Sequence, residues 1–199
     1  MIRVLADPMR RRVCAALAAW SVGAAGSGAP RAQAQRVAAD HGRVDPPVPI
    51  PAVAVSRSDG ASVDLAQLLH GHATALHLML TGCSSVCPIQ GAIFARVQYL
   101  LPDQRERGIQ LLSLSIDPRG DSPRAMQAWL KRFNAQDGWI AVAPRVGDLD
   151  RLLALFGGGR GSVDDHSTQV NIIDRRGELV FKTPALPSAD SIAGILRKV

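Results

Sequence analysis

The segment that decides the fold reads Ala73-Thr74-Ala75-Leu76-His77-Leu78-Met79-Leu80-Thr81-Gly82-Cys83-Ser84-Ser85-Val86-Cys87-Pro88. Its first eight residues carry no formal charge, and only Thr74 and His77 are polar. A mostly apolar run of that length predicts a strand covered on both faces, at the centre of a helix-flanked sheet. Beyond Pro88 the pattern changes. Ile89, Ile93, Phe94, Val97, Leu100 and Leu101 recur at helical spacing, which predicts a helix over 88–101. A buried strand running into a helix opens an α/β unit. Cys83 and Cys87 sit on the junction.

Toward the C-terminus the alternation continues. Ile109-Gln-Leu-Leu-Ser-Leu-Ser-Ile116 predicts the next strand, and Ser122-Pro123 opens a helix with an apolar stripe of Met126, Trp129, Leu130 and Phe133. Residues 139–142 form a short strand. Leu149, Leu152, Leu153 and Phe156 mark a helix ended by Gly157-Gly158-Gly159. Val170–Ile173 and Leu179–Phe181 make a hairpin around Arg175-Arg176-Gly177, and Ser188 caps a last helix bearing Ile192, Ile195 and Leu196. On the N-terminal side, Val53-Ala-Val and Ala61-Ser-Val flank Ser58-Asp59-Gly60, a hairpin signal, before a short helical turn over 64–69. This order fits a thioredoxin-like α/β sandwich over residues 51–199: a mixed central sheet flanked by helices, with an N-terminal β-hairpin extension. In such sheets the site lies beyond the C-terminal ends of the parallel strands, where Cys83 falls.

The chain has 199 residues, 47% hydrophobic and 20% charged, with formal charge +6. That composition excludes disordered, collagen-like and coiled-coil classes. The positive balance suggests nucleic acid until residues 1–34 are read. They hold five Arg and one Asp, an Ala-rich apolar stretch from Val13, and the small-x-small triplet Ala32-Gln33-Ala34. This is the order of a secretory signal peptide; an uncleaved anchor tethering the domain to the inner membrane is the alternative. The Arg10-Arg11-Arg12 run also permits a twin-arginine signal. Cleavage leaves 18 basic and 16 acidic residues, net +2, so no basic face remains for nucleic acid. An exported, periplasmic location follows. Residues 35–50, ending in Pro46-Pro47-Val48-Pro49, read as a linker.

The chemistry rests on Cys83, Cys87 and His166. After residue 34 the chain has only those two cysteines. Three intervening residues set them about one helical turn apart, at a predicted helix start whose free amides and dipole favour thiolate. That suits a soft metal ion or a redox dithiol, and the spacing does not forbid a disulfide. His166 lies in Val163-Asp164-Asp165-His166-Ser167-Thr168, a polar loop before the Val170 strand. In a thioredoxin-like fold this loop faces the active-site helix, and here a histidine is available where oxidoreductases place a cis-proline. Two thiolates and an imidazole suit copper, as Cu(I) or Cu(II), with zinc as the other candidate; Asp164 and Asp165 are placed to orient the imidazole.

Four features together resemble the Sco/SenC family of copper-binding, thioredoxin-like proteins. They are the strand entering Cys83-Ser-Ser-Val-Cys87-Pro88, the strand end Ser113-Leu-Ser-Ile-Asp117-Pro118, Asp121-Ser122-Pro123 opening the next helix, and Asp165-His166-Ser167 before Asn171-Ile-Ile-Asp174 and Gly177. The resemblance spans about residues 50–198. It implies Cys83, Cys87 and His166 as copper ligands. It also implies copper delivery to the binuclear copper centre of cytochrome c oxidase, reduction of that centre's cysteines, or both. The competing reading is a periplasmic thiol–disulfide oxidoreductase acting through Cys83 and Cys87, so enzymatic turnover stays open. Of the other candidates, His70 and His72 read as solvated turn residues and His77 as a hydrogen-bonded core residue. Met79 reads as core filler, Asp117 as strand-end turn chemistry and Asp121 as a helix cap.

Overall fold

The structure is a computed structural model and describes residues 41–104, 106–157 and 167–199. One eight-stranded sheet organises them, in the order β1-β8-β7-β4-β5-β6-β2-β3. The strands are β1 (Gly42–Pro49), β2 (Ala54–Arg57), β3 (Ser62–Asp64), β4 (Ala73–Met79), β5 (Ile109–Ser115), β6 (Trp139–Pro144), β7 (Asn171–Ile173) and β8 (Glu178–Lys182). β4, β5 and β6 run parallel; every other pairing is antiparallel. The helices are α1 (Leu65–Leu69), α2 (Cys87–Leu100), α3 (Pro123–Arg132), α4 (Leu149–Phe156) and α5 (Ala189–Leu196).

The central strand is the one the sequence singles out. All seven residues of β4 are buried, as are all seven of β5. Their side chains divide by alternation. Leu76 and Leu78 of β4, with Leu112 and Leu114 of β5, pack on one face with Leu65 and Leu69 of α1 and Leu152 and Phe156 of α4. Ala73 and Ala75 turn to the other face, against Phe94 and Val97 of α2 and Ile192 and Leu196 of α5. Next along that face, Met79 meets Cys87, Met126 and Trp129. A sheet with helices on both faces is the thioredoxin-like arrangement expected.

Local chemistry fixes the element starts. Asp64 caps α1 by accepting from the Gln67 N–H at 3.0 Å. Ser122 caps α3 through Ala125 N–H, and Ser188 caps α5 through Ser191 N–H, both at 3.2 Å. α4 ends at Gly157, whose φ of 89° is left-handed and favours glycine. Gly91 has a different purpose. A Cβ there would collide with the rings of Trp129 and Phe133, so its absence lets α2 lie close against α3.

One segment differs from expectation. Residues 42–49 fall in the expected linker yet form β1, antiparallel to β8, with Arg43 opposite Phe181 and Pro49 opposite Glu178. Ile50 follows, 5% exposed, its N–H donating to Gly177 O at 3.0 Å. Proline is excluded from central strands because it cannot donate to the ladder, but a sheet edge tolerates it. The Pro-rich composition therefore suits an edge strand as well as a linker. The expected export segment, residues 1–34, lies outside the described residues. Among the described residues no helix is long and apolar enough to cross a membrane.

Candidate metal centre

The chain leaves β4 into a turn at residues 80–86 and enters α2 at Cys87. Cys83 N–H donates to Leu80 O at 3.3 Å, which folds the turn back over the strand end. Val86 precedes the helix without a side-chain cap, and Pro88 occupies the first turn, where a missing N–H costs nothing. Both cysteines are reduced thiols. Cys83 is half-buried in the turn; Cys87 is 2% exposed and packs with Met79, Met126 and Trp129.

The two sulfurs have unlike acidity. For Cys83, burial pulls upward, but hydrogen bonds outweigh it. The Ser85 hydroxyl, 3.4 Å from Sγ, the Cys87 N–H and the Cys87 thiol bring its pKa down to about 7. Cys87 moves the other way, to about 12. Burial is the main cause, and the neighbouring Cys83 and Asp121 charges add to it. The sequence predicts that a helix start favours thiolate at both positions. That holds for Cys83, which receives the helix's first amide, and fails for Cys87, where desolvation wins. Near pH 7 the site thus offers one sulfur at its midpoint between thiol and thiolate and one protonated thiol. Alkylation by iodoacetamide is expected to report Cys83 with a midpoint near pH 7. Ser85→Ala should move that midpoint up by removing a hydrogen bond to the sulfur; an unmoved midpoint would contradict this origin.

A cavity of about 300 Å³ opens beside the sulfurs, between the start of α2 and the face of α3. Leu80, Pro88, Trp129 and Phe133 line it, with Arg132 also at its wall. Asp121 stands behind the turn. It is 4% exposed, and its carboxylate accepts from Thr81 N–H at 3.0 Å, Thr81 Oγ1–H at 2.6 Å and Ser115 Oγ–H at 2.6 Å. It is not the helix cap expected; Ser122 fills that place. The signal was present in the sequence. A triplet with two competent caps in a row leaves one polar residue for another task.

Asp117 does form the strand-end turn, its Oδ1 accepting from Gly120 N–H at 3.0 Å. His77 is fully buried, with Nε2 2.7 Å from Ser113 Oγ, which also accepts from Trp139 Nε1–H at 3.0 Å. Met79 is core filler at 0% exposure. His70 is exposed, and Nδ1 of His72 sits 3.1 Å from its carbonyl oxygen. Among the described residues no group of three or more His, Cys, Asp or Glu is placed to hold a metal ion. His166, Asp164 and Asp165 lie outside the described residues. Ser167, next in the chain, donates its N–H to Gly157 O at 3.1 Å.

A thioredoxin-like sheet with a reduced cysteine pair at the end of its central strand defines the class of protein. The family model for SCO1/SenC matches residues 54–199. The chain belongs to the SCO1/SenC family. A protein of Stutzerimonas stutzeri named "Putative copper-binding protein" is 26% identical over 91 residues, which is 46% of this chain and 44% of that protein. The chain therefore matches less than half the length of that curated relative. Among solved structures, Arabidopsis thaliana ScoI with copper bound superposes with a TM-score of 0.64 at 18% identity, covering 74% of this chain and 96% of that one. BsSco, described as a member of the Sco family of cytochrome c oxidase assembly proteins with a disulfide switch, gives a TM-score of 0.65 at 17% identity, covering 78% and 95%. At these identities the structural likeness speaks to fold.

Proposed function

We propose that the protein is a copper metallochaperone that binds its cargo through Cys83, Cys87 and His166. The recipient we infer is the copper-bearing subunit of cytochrome c oxidase, or another copper or thiol protein, reached at an exported site. Residues 1–34 act there as a signal or an inner-membrane tether. The observation that carries this reading is the pair of unbridged sulfurs at the end of β4, one of them with its acidity raised so that it begins to ionise near neutral pH. Soft thiolates select copper from the hard cations around them. Family membership and the copper-bound relative support it. Support for His166 comes from register. β7 pairs with β4 so that Asn171 faces Leu76 and Ile173 faces Thr74. His166 precedes β7 by five positions, and β7 lies beside β4, the strand whose end leads to Cys83.

The test is anaerobic Cu(I) titration of the reduced protein beside His166→Ala. The expected result is one copper per chain, with affinity at least tenfold lower in the variant, about 1.4 kcal/mol. Binding indifferent to His166 would refute the three-ligand set.

The acidity split also favours a second reading, thiol–disulfide exchange. The Cys83 thiolate would attack a target disulfide and expel one target thiolate. Cys87 would then displace the second, leaving the target with two thiols and this protein with a Cys83–Cys87 disulfide. Both readings need the same reduced pair, so one site can serve both.

A further inference from the structure

The geometry points to Asp121 as a positioning residue that clamps the Cys83-bearing turn to the sheet and so sets how readily the two sulfurs meet. The inference rests on Cys83 and Cys87 being the working pair, and not on which cargo they take.

Three elements meet at this carboxylate. Thr81 comes from the turn after β4, Ser115 from the end of β5, and Asp121 itself from the residue before the α3 cap. Asp121 is held from behind as well, its own N–H donating to Asp117 O at 2.9 Å. Ser115 Oγ in turn accepts from Asp117 N–H at 3.1 Å. A carboxylate kept from water must be well bonded to persist, and three donors reach this one. Both Thr81 donors act two residues ahead of Cys83. Gly82, between them, is exposed, and a Cβ there would meet nothing within 4 Å. The turn thus has no anchorage of its own at residue 82. The Thr81 pair of bonds ties the turn to Asp121, and Leu80 N–H and the Cys83 sulfur are hydrogen-bonded to Cys87 at the start of α2. Cys87, by contrast, is packed into the core on α2. The approach of one sulfur to the other therefore depends on the position of the turn, and Asp121 is the side chain that links the turn to the end of β5.

Two effects can be separated by substitution. Asp121→Asn keeps the geometry: its Oδ1 can accept both Thr81 bonds and its Nδ2 can donate to Ser115 Oγ, with the charge removed. Asp121→Ala removes charge and clamp together. The readout is the reduction potential of the metal-free Cys83–Cys87 couple, equilibrated with glutathione. Two glutathione thiols reduce the protein disulfide to two thiols and become one glutathione disulfide. Asp121→Ala is expected to weaken the protein disulfide about tenfold, a rise of roughly 30 mV for a two-electron couple. Asp121→Asn should stay within about threefold of the parent. Equal shifts in both variants would assign the effect to charge and overturn the clamp. No shift in either would overturn it as well. Should Asp121→Ala not fold, Thr81→Val serves instead, since it removes only the 2.6 Å hydroxyl bond. A smaller rise in the same direction supports the clamp, and an unchanged potential refutes it. Because no copper enters this measurement, loss of the copper reading would leave its outcome intact.

Discussion

Tight Cu(I) binding is expected to vanish when either Cys83 or Cys87 is replaced by serine. Hydroxyl oxygen is a poor ligand for a soft ion, so the loss should exceed the roughly 10–100-fold typical of disturbing a ligand's supporting partners. The unlike acidity of the pair adds a signature in pH. Ligation by both sulfurs requires both protons to leave. Below pH 7 both thiols are protonated, so affinity should rise with pH about a hundredfold per unit. Between about 7 and about 12 only Cys87 still holds its proton, and the rise should ease to about tenfold per unit. Competition with a chromophoric Cu(I) chelator across pH 6–9 reads these outcomes. Affinity independent of pH above 7 would show that Cys87 does not bind as thiolate.

The second large effect concerns the support of the site. Phe94 is completely buried on α2. Its ring centroid lies 4.2 Å from that of His77 and 5.7 Å from that of Trp139. Phe94→Ala leaves a void under the helix that carries Cys87. Changes of this kind cost about 3–5 kcal/mol, a large share of the roughly 5–15 kcal/mol that holds a domain folded. In a chain of this size that lowers Tm by roughly 6–20 °C. Chemical denaturation of the reduced, metal-free protein measures it. A loss below about 1 kcal/mol would mean that the layer between α2 and the sheet repacks freely, against the dense ring contacts seen here.

The parts of the fold written locally were legible in the sequence. The unbroken burial of Ala73–Met79 follows from its unbroken apolar composition. The cap at Ser188 follows from residue type and the helical pattern after it. What was not legible depends on distant partners. Residues 42–49 pair with Glu178–Lys182, well over a hundred positions away, and prolines in isolation give no hint of which edge will receive them. The same limit applied at the site. Spacing located Cys83 and Cys87, yet the opposite drift of their acidities depends on burial by Met126 and Trp129, which are brought in by α3. Asp121 looked like a cap because its tie to Thr81, forty positions earlier, exists only once β4 and β5 lie side by side.

The proline-rich edge strand has a bearing on solubility. A free sheet edge is a template on which another chain can build, and proteins must discourage that. In β1, Pro46, Pro47 and Pro49 occupy three of the eight residues, and none of them has an N–H to offer. The register break between Arg43 and Val48 further interrupts any continuous row of donors. The outermost strand at this end of the sheet is thus poorly equipped to recruit a copy of itself. The cysteine turn lies at the end of β4, in the middle of the sheet, so an edge that resists growing into a fibre leaves that turn clear of self-association.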